Sequence, residues 1–382
     1  MNPTRAEIDF KKLARNLESI RKHIRKKSQG KKVKICGVVK ANAYGHGIEE
    51  VSKELVDLGV DYLGVANYDE AIKLRRLVPD APILVFGTLI HSKLQPKEYV
   101  STLLKYNLIA TVASLDTAKF LDYYSSKLRK KFSVHIKIDT GMKRIGFDVK
   151  RAYKNIMQIL TLKNVYVEGI FTHFATSEAK NKVFAYRQLS FFQDLLEDLR
   201  KSGVEFEIVH SANSGAVLDI KESYFDMVRP GLILYGYYPS PEVKNKIDIE
   251  PIMNLKSKVT FIKRVEPKTS ISYGRLYFTK RRTYIGSIPV GYGDGYWRLL
   301  TNKSKVLINK KFYRTVGAIT MDWLMVNLGE KYSVRIGDDV LLMGSENDFS
   351  LGADKLARLT GAIPYEILCS VADRVNRIYL NK

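Results

Sequence analysis

Lys40 closes an apolar run and opens a glycine-rich turn, Lys40-Ala41-Asn42-Ala43-Tyr44-Gly45-His46-Gly47. A lysine amine desolvated at such a place has a lowered pKa and can attack carbonyl compounds, forming a Schiff base, or act as a base. In solvent the same residue is only a charge at a strand end. Much further along, Asn213-Ser214-Gly215 and Gly231 follow two more apolar runs. Backbone N–H groups, a hydroxyl and a short helix start suit a phosphate, although Asn-Ser-Gly alone also reads as a turn. An amine and a phosphate cradle in one cavity suggest pyridoxal 5′-phosphate, which carries an aldehyde and a phosphate. Lys137, Arg144, His173 and Arg229 lie in or just after further apolar runs. Arg229 precedes Pro230-Gly231 within an apolar stretch, a poor setting for a surface arginine. His173 also reads as a structural histidine with its hydrogen bonds satisfied.

These residues fall at corresponding points of a repeating pattern. Apolar, β-branched runs occur at Val33–Val39, Tyr62–Ala66, Pro82–Phe86, Leu108–Val112, Phe132–Ile138, Val165–Phe171, Phe206–Val209 and Met227–Tyr235. Helix-patterned segments separate them, at Ile48–Leu58, Tyr68–Leu77, Leu94–Tyr106, Ser114–Leu128, Ala152–Leu160, Ala185–Leu199 and a short one near Ala216. Strict alternation predicts parallel strands with right-handed crossovers. Eight such units predict an α/β fold of the closed (β/α)8 type, although an open doubly wound sheet shares the local signature. In a closed barrel, reactive groups stand at the C-terminal ends of the strands. Lys40, the segment from Lys137 to Arg144, His173, Asn213-Ser214 and Arg229 all fall at or near that end. Within His135-Ile136-Lys137-Ile138-Asp139, alternation puts His135, Lys137 and Asp139 on one face. With the isoleucines toward the helices, Lys137 points into the barrel, where an unpaired ammonium is costly.

After Pro239-Ser240-Pro241 the pattern turns to alternating β-type runs, Ile252–Val265, Arg282–Val290, Lys305–Leu307, Tyr313–Leu328 and Asp339–Met343, with a last helix at Ala353–Thr360. Residues 1–239 are therefore expected to form the barrel domain. Residues 240–382 form a mostly-β domain, with which about the first ten residues can pack.

The 382 residues are 45% hydrophobic and 27% charged, a globular balance. Two cysteines, Cys36 and Cys369, exclude a disulfide scaffold and a cysteine-rich zinc module, and no metal site is expected. No run approaches the roughly 20 apolar residues of a membrane span, and Met1–Arg5 shows no apolar h-region of a signal peptide. A cytoplasmic location is expected, without membrane contact. The net charge of +23 would suit a nucleic-acid binder. However, the densest basic run, Arg21 to Lys34, continues a helix whose apolar stripe is Leu13, Leu17, Ile20 and Ile24. Its charges read as a solvated face, and no nucleic-acid motif is present, so no nucleic-acid partner is expected.

Val39–Gly47 resembles the cofactor-lysine signature of alanine racemases. The resemblance continues through Lys137–Gly146, Thr172–Ala175, His210–Ser214, Val228–Gly231, Ser272-Tyr273-Gly274, Gly291–Gly295, Met321-Asp322 and Arg374–Arg377. It implies a pyridoxal-phosphate enzyme that interconverts L- and D-alanine, the latter for peptidoglycan. It also implies a head-to-tail homodimer with shared active sites. Lys40 resembles the Schiff-base lysine, which also serves as base on one face of the substrate, and Tyr273 the opposite-face base supplied by the partner. Tyr44, Asn213, Ser214 and Gly231 would hold the phosphate, His173 would pack on the cofactor ring, and Arg229 would face the pyridine nitrogen. Arg144 and the Met321 backbone N–H would hold the substrate carboxylate. Lys137 matches a lysine that the family carbamylates to pair with the arginine at Arg144.

The departures are Ala318 for an arginine, Trp323 for a glutamine, and Asp373 where a phosphate-contacting tyrosine is expected. Asp373 is expected to turn away or to pair with Arg374. These departures keep a serine or broad-specificity amino-acid racemase open as the alternative. A related decarboxylase of basic amino acids is disfavoured by Arg229, because that enzyme protonates its ring nitrogen with an acid.

Overall fold

The computed structural model describes residues 3–88 and 96–382. The chain begins with β1 (Arg5–Asp9) and an amphipathic helix, Phe10–Lys27, that buries Leu13, Leu17, Ile20 and Ile24 and leaves its basic face to solvent. Eight parallel strands follow: β2 (Lys34–Val38), β3 (Tyr62–Val65), β4 (Ile83–Val85), β5 (Ile109–Val112), β6 (Phe132–Asp139), β7 (Val165–Phe171), β8 (Ile208–Asn213) and β9 (Met227–Arg229). Each pairs with its neighbours in sequence, except that β9 returns to β2 through Met227 opposite Lys34 and closes the ring. This is the (β/α)8 barrel expected from the alternation.

Helices Ile48–Asp57, Tyr68–Arg75, Pro96–Lys105, Leu115–Leu128, Val149–Leu160 and Val183–Lys201 pack outside the ring, with the short Ser214–Asp219 after β8. The expected start at Leu94 lies outside the described residues. Ile136 and Ile138 of β6 are buried in the large core cluster, whereas His135 and Lys137 point inward, as the alternation predicts. Toward the N-terminal ends of the strands, Cys36, Tyr62, Leu84, Ile109, Ile208 and Met227 fill the interior as an apolar plug.

Two strands differ from the sequence reading. The run Met227–Tyr235 is not one strand: β9 stops at Arg229, and Leu232–Tyr235 is a 3₁₀ turn. Pro230 has no N–H for the ladder, and the Gly231 N–H is taken by Ser214 Oγ at 2.9 Å. The seventh barrel strand extends to Asn213 rather than stopping at Val209. Its polar residues His210 and Ser211 are buried with hydrogen-bond partners, so they do not end it.

Past Tyr237 the chain lacks regular structure until β10 (Met253–Lys258). β1 joins this second half: it pairs antiparallel with β10 and parallel with Asn376–Leu380. A second sheet is formed by Phe261–Val265, Thr283–Ile288 and Leu324–Gly329. The expected run Tyr313–Leu328 is broken, because Lys311–Arg314 and Leu324–Gly329 flank a turn in which Gly317 has φ +75°. The helix Ala353–Thr360 forms as expected, and a short helix, Pro364–Cys369, follows it.

Candidate active site

The chain makes one left-handed turn directly after Lys40. Ala41, Asn42, Ala43 and Tyr44 have φ of 52°, 54°, 51° and 53°. Each costs about 1–2 kcal/mol for a residue with a Cβ, so the surroundings must hold the turn. Asn42 Oδ1 accepts from the Ile48 N–H at 2.8 Å. His46 Nδ1 donates to the Ala43 and Tyr44 carbonyls, 2.9 Å each. The Tyr44 ring packs against Tyr235 and Tyr365, with centroids 4.9 and 5.8 Å away. Burial lowers the Lys40 pKa and the positive Arg144 lowers it further, while Glu70 opposes them. A lysine tuned this way offers a neutral amine more readily than a free one.

Across the barrel mouth, the buried Arg229 is held by acceptors only. Its Nη2 donates to the Thr172 and Ser211 carbonyls, both at 2.9 Å, and its Nη1 lies 2.6 Å from His210 Nδ1. Guanidinium has no acceptor, so His210 Nδ1 must be bare and its proton must sit on Nε2. That proton points at His135 Nδ1, 2.8 Å away, which places the His135 proton on Nε2. His135 Nε2 makes no hydrogen bond: the nearest carboxylate, Glu168, stands 3.8 Å away and accepts from the Tyr62 hydroxyl instead. The hydrogen-bonded chain Arg229–His210–His135 thus runs through the barrel interior with the proton of each imidazole assigned. His173 Nδ1 lies 3.3 Å from Arg229 Nη2 and is an acceptor by the same argument. Burial and the charge of Arg229 hold the pKa of His173 and His210 well below the ordinary histidine value.

Lys137 is 3% exposed and points into the same space. Its Nζ reaches the Ile138 carbonyl at 3.2 Å and lies 4.9 Å from the centre of the Phe171 ring. Burial, with Arg229 and Arg144, pushes its pKa well below the ordinary lysine value. The nearby Asp139 Oδ1 accepts from the Gly141 and Lys143 N–H groups, at 2.9 and 3.0 Å, and so shapes the turn that presents Arg144.

At the opposite end, Ser214 Oγ accepts from the Gly231 N–H. Asn213 Oδ1 accepts from the Ala216 N–H at 3.1 Å and from the Ser177 hydroxyl at 2.7 Å. A Cβ on Gly231 would stand 2.5 Å from the Tyr44 hydroxyl, so only glycine leaves this corner open.

One cavity of about 150 Å³ joins these parts. Lys40, Tyr44, Lys137, Arg144, His173, Asn213, Ser214, Arg229 and Gly231 all line it. Four of them are lysines or arginines, and no carboxylate is among the lining residues. Such a donor set calls for anionic ligands. An amine at one side and a glycine-opened corner with hydroxyls at the other fit pyridoxal 5′-phosphate.

Two site residues expected from the sequence are not at the cavity. Tyr273 and Met321, 77% and 52% exposed, do not line it. Leu276, Phe278, Tyr292, Leu299 and Trp323 of the same half of the chain are likewise exposed. Ser272 Oγ donates to the Ala318 carbonyl at 2.7 Å, which steadies the Tyr273 turn. The Met321 carbonyl accepts from the Gly293 N–H at 2.9 Å and from Arg374 at 3.3 Å.

Asp373 turns away, one of the two outcomes expected of it: it is exposed and does not line the cavity, whose lining tyrosines are Tyr44 and Tyr365. Arg374 does not pair with Asp373, since it binds Asp294 and Asp322, both at 2.8 Å. Tyr365 went unnoticed because its six-residue helix carries too little periodicity to be seen. Phe86 and Phe171, two further lining residues, were visible only as strand positions. Glu70 was missed as well, since a helical Asp-Glu pair reads as solvated charge.

Comparisons with known proteins agree with this geometry. A family model described as alanine racemase, N-terminal domain, matches residues 8–239, and one described as alanine racemase, C-terminal domain, matches residues 252–379. Alanine racemase 2 of Caldanaerobacter subterraneus subsp. tengcongensis is 41% identical over 381 residues, covering 100% of this chain and 95% of the relative. Alanine racemase 1 of Clostridium acetobutylicum is 40% identical, covering 100% and 96%. Among solved structures, alanine racemase of Clostridium difficile 630 superposes with a TM-score of 0.91 at 39% identity, covering 99% of this chain and 96% of that one. The alanine racemase of D-cycloserine-producing Streptomyces lavendulae does so at 0.91 and 28%, covering 100% and 98%.

Proposed function

The chain belongs to the alanine racemase family, and from that premise we propose that it interconverts L- and D-alanine at the barrel mouth with pyridoxal 5′-phosphate as cofactor. The observation that carries this reading is the pairing of a pKa-lowered Lys40 with a donor-only Arg229 in a cavity free of lining carboxylates. Bound there, the cofactor supplies an aldehyde for the substrate amine and a conjugated ring that weakens the bond from the α-carbon to its proton.

The protein's own groups do the rest. Tyr44, Asn213, Ser214 and Gly231 would hold the phosphate, and His173 would pack against the ring. Arg229 would face the ring nitrogen without surrendering a proton, which would keep the ring a weak electron sink and favour return of the proton over transamination. Arg144 and the Met321 N–H hold the substrate carboxylate. Lys40 Nζ removes the α-proton on one face while Tyr273 Oη delivers one on the other, and the roles reverse in the opposite direction.

Two bases on opposite faces require Tyr273 to come from another molecule, because in its own chain it stands away from the cavity. A homodimer with shared sites follows, with the exposed Tyr273 and Met321 over the partner's barrel mouth. In this reading residues 1–239 form the cofactor domain and 240–382 the domain that closes the partner's site. Lys137, a buried amine without a carboxylate partner at the cavity, is poised to add carbon dioxide. The amine would form a bond to carbon and release a proton, leaving a carbamate anion for Arg144. The product serves peptidoglycan synthesis in the cytoplasm. No described helix is long and apolar enough to cross a membrane, and the basic surface is a solvated face rather than a nucleic-acid site.

The test is formation of D-alanine from L-alanine by the purified protein, with absorbance of the bound cofactor followed before and after borohydride. Racemisation, and a chromophore that borohydride fixes in the wild type but not in Lys40→Ala, are expected. Protein that binds no chromophore even with added cofactor would sink the reading. A pocket sized for one methyl rejects an added hydroxyl by only about 100-fold, so serine should be a slower substrate. Lysine or arginine turned over as fast as alanine would replace the substrate assignment with a broad-specificity racemase.

A further inference from the structure

We propose that Glu70 is a positioning residue for Lys40: its carboxylate ties the left-handed turn that carries the lysine to the neighbouring barrel strand. The proposal rests on Lys40 being the reacting amine, as argued above. Glu70 lies in the first turn of the helix Tyr68–Arg75, where its own N–H is fixed by Asn67 Oδ1 at 2.9 Å. Its two oxygens divide their work. Oε1 accepts from the Ala41 N–H and Oε2 from the Ala66 N–H, each at 2.8 Å. Ala41 is the residue after Lys40, and Ala66 is the residue after β3. One side chain therefore fastens the mouth ends of two adjacent strands at the point where the lysine leaves the sheet.

Backbone hydrogen bonds close the turn, from the Gly45 N–H to the Ala41 carbonyl and from the Ala43 N–H to the Val39 carbonyl, and the other side-chain restraints act further along it. Asn42 holds Ile48, His46 holds the Ala43 and Tyr44 carbonyls, and Arg377 holds the Gly45 carbonyl at 3.1 Å. None of these side chains grips the residue next to Lys40. Glu70 also has an electrostatic part. The charged and titratable groups that act on Lys40 are Arg144 from the loop after β6, Cys369 from the helix Pro364–Cys369, His173 after β7, and Glu70. Glu70 is the one carboxylate among them, and it opposes Arg144.

The test uses the full-length holoenzyme with Glu70→Gln and Glu70→Asp, and Lys40→Ala as the control. Glu70→Gln removes the charge and leaves one of the two N–H groups facing an amide. Small misplacements of a reacting group cost up to about 100-fold in rate. Glu70→Gln is therefore expected to lose about tenfold to 100-fold in kcat, with KM for alanine little changed. The acidic limb of its pH profile should move to lower pH, because the neutral amine is no longer opposed by a carboxylate. Glu70→Asp keeps the charge but is too short to reach both amides, so kcat should fall while the limb stays in place. In cofactor-free protein, Lys40 should be reductively methylated faster at fixed pH in Glu70→Gln than in wild type, read by peptide mass. If Glu70→Gln does not fold, the split in Glu70→Asp between a lower kcat and an unmoved limb carries the test.

Wild-type kcat, pH limb and methylation rate in Glu70→Gln, alongside an inactive Lys40→Ala, would overturn the proposal and leave the racemase reading standing. In Glu70→Gln, a loss of kcat with neither limb nor methylation altered would also overturn it, as a general structural effect. A fully active Lys40→Ala would instead overturn the reading beneath it.

Discussion

Arg229 Nη1 lies 2.6 Å from His210 Nδ1, and because arginine can only donate, this one contact assigns the protons of both buried histidines below it. Among the described residues no carboxylate pairs with Arg229, and Glu168 lies beyond the two imidazoles, 3.8 Å from His135 Nε2. A carboxylate at the position of His210 would compete for the proton that Arg229 presents to the cavity. The chain gives Arg229 a fixed orientation without that competitor.

His210→Phe removes the acceptor while keeping a ring of similar shape. It should leave a buried guanidinium N–H unsatisfied, at a cost of about 1–3 kcal/mol. Chemical denaturation should show a lower midpoint with an unchanged slope, and kcat should fall more than KM rises. A variant as stable and active as wild type would show that Arg229 does not depend on this contact.

Acid should begin to destabilise the fold in the histidine range, above the ordinary carboxylate values. His46 is fully buried and its pKa is pushed down to about 4, and burial also lowers those of His135, His173 and His210. Below the unfolded histidine pKa of about 6.5 the unfolded chain binds protons that the folded chain refuses. Stability is therefore complete above that pH and is lost as pH falls toward 4. His46 alone accounts for about 3 kcal/mol across the window. Urea unfolding between pH 7.5 and 4.5 should show this slope, and His46→Gln should flatten it by about one proton.

Gly231→Ala should weaken cofactor binding rather than the fold. The added Cβ would stand 2.5 Å from the Tyr44 hydroxyl, forcing Tyr44 to move within the corner assigned to the phosphate. The cofactor dissociation constant, followed by absorbance on titration, should rise by tenfold or more, equivalent to about 1.4 kcal/mol. Unchanged affinity would move the phosphate site elsewhere.

The proposal that sites are shared between two molecules is tested by complementation. Lys40→Ala and Tyr273→Phe should each be inactive as homodimers. Mixed under conditions of verified subunit exchange, they should recover activity through heterodimers that hold one intact site. No recovery would count against a Tyr273 supplied by the partner.

Much of the barrel and its mouth was legible in the sequence. Parallel pairing sends every C-terminal strand end to one side, so the polar residues that close apolar runs are neighbours before any coordinate is known. Lys40, Arg144, His173, Asn213, Ser214 and Arg229 were found this way, and alternation along β6 turned Lys137 inward. Gly231 joins Asn213-Ser214 in the same way, the family resemblance adds Tyr44, and both meet the others at the cavity.

Tertiary structure alone decided the rest. The proton order through His210 and His135 needs three strands, β6, β8 and β9, brought into contact, and no local pattern encodes that register. The split of Met227–Tyr235 was settled by Ser214, seventeen residues away, taking the Gly231 N–H. Glu70 bridges two strand ends, Tyr365 arrives from the second half of the chain, and Asp373 turns out to face solvent. Sequence periodicity reports which face of an element is buried, because burial repeats with the backbone. It does not report which polar groups meet across the barrel, because those contacts depend on how the ring closes.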